Sequence, residues 1–171
     1  MNTFNQATLQ QKLSEIRLGL HATGIEDTHS IQMEKNVAHV SIQFPTLNNQ
    51  QLFKGKLGKE VSTHEGYLAM QLCALNVLYQ LKNNVGLSNI DGIHHMEVFY
   101  QADTDWDEAP LIAAGVTDVL QKVVGEKADY TCSLMTMTSL PDNFSVGLAC
   151  SFTLINNSKK AAISNGFMVT L

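Results

Sequence analysis

Ser145-Val-Gly-Leu-Ala-Cys-Ser-Phe-Thr-Leu154 alternates without error: Val146, Leu148, Cys150, Phe152 and Leu154 fall on one side, and Ser145, Gly147, Ala149, Ser151 and Thr153 on the other. A period of two marks a β-strand, because successive side chains point to opposite faces of the sheet. One face is bulky and apolar and requires a second layer; the other is small. Upstream, Leu140-Pro141-Asp142-Asn143 has turn chemistry, so Thr131 to Thr138 and Ser145 to Leu154 read as a final strand pair. From Ile93 to Gln101, Met96, Val98 and Tyr100 alternate with His95, Glu97 and Phe99, which predicts a strand covered on both faces. Ile31 to Lys35 and His39 to Phe44 are two further strand-like runs, the second ended by Pro45.

Helices are interleaved with these strands. Ser62-Thr63-His64-Glu65 forms a capping box, in which a hydroxyl and a carboxylate satisfy backbone N–H groups at a helix start. Leu68, Leu72, Leu75 and Tyr79 then make one stripe, and the helix breaks around Asn83, Asn84 and Gly86. A second helix starts near Pro110 and carries Ile112, Val116, Val119 and Val123 before Gly125. A short N-terminal helix has Leu9, Leu13, Ile16 and Leu20 on one face, Thr8 as its expected cap and Gly24 as its stop. The stretch between Pro45 and Val61 reads as a polar, lysine-bearing loop. Helix, two strands, helix, strand, helix, two strands is an α+β order that packs helices on one face of a sheet. Residues 1–171 make one domain with a core from about 9 to 154; residues 155–171 form an extension whose strand-like run Phe167 to Leu171 has no assigned role.

Composition narrows the function classes. The chain has 171 residues, 44% hydrophobic, with 11 basic and 16 acidic side chains and a net charge of -5. The bases are scattered, which argues against a nucleic-acid partner, since phosphate neutralisation needs clustered Lys and Arg. The densest basic run, Lys54, Lys56 and Lys59 with Gly55 and Gly58 between, reads as a solvated loop rather than a phosphate cradle, because GxxxxGK[ST] is absent. Arg17 is the single arginine. Charged residues make up 16% of the chain, against about 25% in typical soluble domains, which suits a subunit that buries surface against its own copies. Neither a signal peptide nor a membrane-spanning run is read, so no membrane partner is expected. Cys73, Cys132 and Cys150, with no CxxC, suit reduced thiols in the cytoplasm.

Residues with chemical potential have simpler readings. Asp103, Asp105, Asp107 and Glu108 lack the glycine and distal glutamate of a calcium loop and instead suit the positive end of the following helix. His94 and His95 are adjacent on a strand, so they are expected to face opposite ways, one packed and one solvated. His64 has no identifiable nucleophile beside it. Cys73 and Cys150 read as core residues, and Cys132 stands at a strand start. No metal site and no cofactor is expected.

Gly55-Lys-Leu-Gly58, His64-Glu-Gly-Tyr67, Gln71 to Leu78, Asp105-Trp106 with Pro110, Gly115 to Leu120 and Ser139-Leu-Pro141, with His39 to Pro45, form an ordered set running from about residue 9 to 154. This set resembles the Rid/YjgF family, the reactive-intermediate deaminases also labelled L-PSP endoribonuclease-like, and is similar to a subgroup with a longer GKLG-to-EGY segment. The resemblance implies a chorismate-mutase-like α+β fold: a mixed sheet with two helices on one face, here with the short N-terminal helix added. It also implies a homotrimer with small-molecule clefts between subunits. Members hydrolyse enamines and imines such as 2-aminoacrylate to 2-keto acids and ammonia, using an arginine for the substrate carboxylate and a glutamate on the last strand. Aligned on Leu140-Pro141, the arginine position falls on Cys132, and the acidic strand positions become Gly147 and Ala149. A thiol cannot replace a guanidinium's planar fork of donors, and the missing acids imply a roomier, less polar cleft wall. Ile42 stands at the glycine of the family's Ser-Gly-Gln. The implied function is small-molecule binding without the usual deamination, with Cys132, Gly147, Ala149, Ser41 and Gln43 in the cleft. The alternative is a divergent deaminase using Cys132, His94 or His95, Ser41 and Gln43. Nuclease activity is not expected.

Overall fold

The computed structural model describes residues 4–18, 30–125 and 130–156. Three helices, α1 (Gln6–Leu18), α2 (Thr63–Asn84) and α3 (Ala109–Val124), accompany strands β1 (Ile31–Glu34), β2 (Val37–Gln43), β3 (Thr46–Leu47), β4 (Gln50–Gln51), β5 (Ile90–Tyr100), β6 (Thr131–Thr136) and β7 (Val146–Leu154). The main sheet has the order β1-β2-β7-β5-β6, with β5 and β6 parallel and every other pair antiparallel. This is the expected mixed sheet. Helix α2 lies over β7 and β2, α3 lies over β5, and α2 also meets α1 and α3.

The capping box forms as expected: Ser62 Oγ accepts from the Glu65 N–H, and the Glu65 carboxylate accepts from the Ser62 N–H. Helix α2 is buried well beyond the one stripe, with Ala69, Met70, Cys73, Ala74, Val77, Leu78 and Leu81 sealed as well. Helices α2 and α3 cross closely because Gly115 has no side chain; a Cβ there would lie 2.4 Å from the Tyr67 carbonyl oxygen. Cys73 and Cys150 are core residues, as read.

Several expectations change. The last two strands do not pair with each other: β7 lies between β2 and β5, and β6 takes the far edge of β5. A parallel β5-α3-β6 unit places β6 on one flank, and residues 137–145 then pass the end of β5, where Met137 donates to the Tyr100 carbonyl and Gln101 donates to that of Ser145. The uniformly apolar face of β7 draws it to the centre, where both neighbours and α2 shield it. Strand β5 is covered on one face only; no described element lies over His95, Glu97 and Phe99. The cap of α1 is Asn5 rather than Thr8, with Asn5 Oδ1 accepting from the Thr8 N–H at 3.0 Å.

The loop from Pro45 to Val61 is more ordered than its polarity suggests. Asn48 and Asn49, at φ of 50° and 62°, turn the β3–β4 hairpin, and Leu52, Phe53, Leu57 and Val61 are buried while the three lysines stay exposed. The acidic run leads into α3, yet none of its carboxylates lies in the first turn; Glu108 is the N-cap residue, and its carboxylate accepts from the Thr63 hydroxyl. Leu20, Gly24 and Phe167 to Leu171 lie outside the described residues. Among the described residues no helix is long and apolar enough to cross a membrane.

Candidate functional site

Functional side chains gather on the open face of the sheet. Directly paired residues point the same way, so the pairings Gln32–His39, His39–Ser151, Ser151–His95 and His95–Thr131 place one polar row across five strands. His39 Nδ1 lies 3.0 Å from Ser151 Oγ, and His95 Nδ1 lies 2.6 Å from Thr131 Oγ1. The next row holds Ala149, Glu97 and Ser133, with Ser41 alongside in a β-bulge between Val40 and Gln43. His39, Ser41, His95, Glu97, Ala149 and Ser151 line a shallow cavity of about 290 Å³.

The set can donate, accept and exchange protons, but it has no fixed cation. Ser151 and His39 approach a nucleophile-and-base pair, and Glu34 lies on the other side of the ring. However, the Glu34 carboxylate is 3.9 Å from His39 Nε2, beyond hydrogen-bond length, and 74% exposed, so it does not orient the imidazole. Backbone N–H groups inside the sheet are held in the ladder, so any oxyanion donor on this face would have to be a side chain such as Ser41, Ser151 or a histidine. Among the described residues no three His, Cys, Asp or Glu side chains converge as metal ligands.

A second β-bulge changes the histidine expectation. Ile93 pairs with Phe152 and Met96 with Cys150, all four buried, so both residues between Ile93 and Met96 lie off the core face. Neither histidine is packed inside: His94 is exposed and His95 is half-buried on the open face.

The five cleft candidates separate. Ser41 and Ala149 meet in the open-face cavity. Gln43 pairs with Leu148, turns to the other side and lines a different cavity at the C-terminal end of β2. Gly147 does not leave a roomier wall, because a Cβ there would lie 2.8 Å from Ile42 Cδ1 and 3.0 Å from Phe44 Cε1; the bulky Ile42 occupies the space. Cys132 sits on edge strand β6 opposite Met96 and lines neither cavity. By surface area the residue is exposed, yet burial around its sulfur pushes the thiol's pKa up, which disfavours the nucleophilic thiolate. Sequence reasoning missed His39 and Glu97; the signal for Glu97 was the alternation from Ile93 to Gln101, which reads as a strand covered on both faces, and His39 carried only the strand-like run that it opens.

Residues 12–154 match the family model described as "YjgF/chorismate mutase-like, putative endoribonuclease". The chain belongs to the YjgF/Rid family. The YjgF-like architecture recurs in a protein of unknown function, Atu1372 from Agrobacterium tumefaciens, at 26% identity and a TM-score of 0.75 over 86% of this chain and 92% of that one. A Shewanella oneidensis protein with the same endoribonuclease description matches at 26% identity and a TM-score of 0.72 over 85% and 99% of the two chains. E. coli TdcF, solved with bound serine, is similar in fold alone, at 14% identity and a TM-score of 0.53 over 76% and 90%. Protein TCP17 of Trypanosoma cruzi is 30% identical over 90 residues, which span 52% of this chain and little more than half, 56%, of that relative.

Proposed function

We propose that this YjgF/Rid chain is a cytoplasmic small-molecule-binding subunit that assembles as a homotrimer through its open sheet face and lacks arginine-dependent enamine and imine hydrolysis. The carrying observation is the chemistry at the aligned positions. A thiol of raised pKa stands where a carboxylate would be anchored, and Ile42 covers Gly147 where an acid would act. A lone thiol offers one weak donor and no positive charge, so the charge-assisted bidentate grip on a substrate carboxylate is lost.

Assembly is supported by surface that one chain leaves uncovered. The open face spans five strands, and the adjoining β6 edge exposes Leu134, Met135 and Met137, apolar groups that a monomer gains nothing by showing to water. Sedimentation at micromolar concentration should give the mass of three chains. Scattered lysines favour no nucleic acid, and labelled RNA titrated at low salt should remain unbound.

A divergent deaminase is the second reading, favoured by Glu97 lying between Ala149 and Ser133 on the open face. The test is pyruvate release from enzymatically generated 2-aminoacrylate. Background rates support the binding reading. Release well above background that vanishes in Cys132→Ala establishes the deaminase instead, and release that vanishes in Glu97→Gln assigns the proton transfer to the carboxylate.

A further inference from the structure

The stripe on α2 has a use that core packing does not exhaust. Leu72, Leu75, Asn76, Tyr79 and Gln80, spaced on one helix face, line a cavity of about 310 Å³ within a single chain. Its opposite walls come from Ile16 of α1, Phe44 after β2, Leu47 of the hairpin and Phe144. Phe44 and Phe144 stack at 4.9 Å with their planes 9° apart, which gives part of the wall a flat aromatic character.

Three polar side chains on α2 stand in this mostly apolar space with hydrogen-bonding capacity that the described residues do not use. The Asn76 amide nitrogen donates to the Phe44 and Thr46 carbonyls and to the Thr46 hydroxyl, which orients the side chain and leaves Oδ1 as an unused acceptor. Gln80 Oε1 accepts from Ser30 Oγ at 2.6 Å, which leaves Nε2 as an unused donor. The Tyr79 hydroxyl can do either. The charged side chains of the lining are already engaged: Lys12 pairs with Glu15 at 3.3 Å, and Asp142 accepts from Gln51 at 3.0 Å. An anion would be desolvated with no free counter-ion and a cation would meet only Asp142, whose carboxylate is exposed to water, whereas a neutral ligand needs only the orienting groups present.

We propose that this cavity binds a small, flat, neutral molecule carrying both a hydrogen-bond donor and an acceptor, of the primary-amide or lactam class. The site goes beyond the inter-subunit reading: it lies in one chain and away from Cys132, so its failure would leave that reading standing. The probe is benzamide titrated into the ¹⁵N-labelled full chain, with benzoate and benzylamine as charged controls of the same size. Benzamide should give saturable shifts at Asn76, Tyr79 and Gln80, and the controls should bind at least about tenfold more weakly. Leu47→Trp fills the cavity from the half-buried hairpin and should abolish the shifts. Tyr79→Phe keeps the volume, removes one hydrogen bond and should weaken binding roughly threefold or more; it serves as the readout if thermal melting shows Leu47→Trp to be poorly folded. Benzoate or benzylamine binding as tightly as benzamide, benzamide binding untouched by both variants, or no saturable shift would each overturn the proposal.

Discussion

The two faces of the main sheet are built from the same strands and meet opposite fates. On β7, Val146, Leu148 and Phe152 are fully buried beneath the helical layer, while Ala149, Ser151 and Thr153 on the other face remain half-buried with no described element above them. Burying one such apolar side chain contributes about 1.5–3 kcal/mol, so the helical face holds the chain together. The open face cannot do this with hydroxyls, an alanine and a glycine. Instead His39 meets Ser151 and His95 meets Thr131 across the strands, which leaves a wettable, shape-defined surface beside Glu97. One face stabilises the chain; the other is free to meet ligands or further copies.

Substitutions on adjacent residues test that division most severely. Phe152→Ala should cost about 3–5 kcal/mol, read as a lower urea midpoint at unchanged slope, while Ser151→Ala should cost less than about 1 kcal/mol. Equal losses would mean that the open face is as much a core as the covered one. Gly115→Ala comes next. In an exposed helix this change stabilises by roughly 1 kcal/mol, but here the added carbon meets the Tyr67 carbonyl at 2.4 Å, so a loss of about 1–3 kcal/mol is expected. A gain in melting temperature would show that the helical layer is looser than its packing implies.

Ala149→Lys sharpens the comparison from the other side. A charge in the middle of the open face should leave the far-ultraviolet spectrum and melting of the chain nearly unchanged while the assembled species disappears from sedimentation profiles. Persistence of the assembly would place the interface elsewhere. The smallest effect concerns Tyr67, whose pKa is pushed up to about 12 by burial and then by the hydrogen bond and charge of Asp118. Its folded pKa exceeds the unfolded value of 10, so the fold favours the protonated phenol: the contribution is complete below pH 10 and is lost as pH rises towards 12. Denaturation followed across that window should show a steeper decline for the native chain than for Tyr67→Phe.

Much of the covered face was legible in the chain. The alternation of residues 145–154, the capping box at Ser62 and Glu65, and the proline and glycine bounding α3 each act over a few residues, where local geometry dominates. The site was harder to read. An unbroken strand would put His94 and His95 on opposite faces, but one extra residue in β5 takes both off the core face. Gly147 looked like lost bulk, yet Ile42, far away in sequence, lies against it. The β3–β4 hairpin hid behind polarity, although Asn48-Asn49 is a residue pair that tolerates the positive φ such turns need. Gln43 and Ser41, two apart and expected in one cleft, ended in different cavities because the β2 bulge lies between Val40 and Gln43.

By itself the sequence determined the three helices and the five strands of the main sheet, the apolar side of β7 and the absence of an arginine at the aligned position, since these depend on spacing and residue type alone. Only the tertiary structure decided that β7 sits between β2 and β5, that both histidines avoid the core and that the α2 stripe borders an open cavity. The reason is physical: periodicity fixes which way a side chain points relative to its own backbone, whereas the layer it meets is set by long-range pairing that maximises burial over the whole chain.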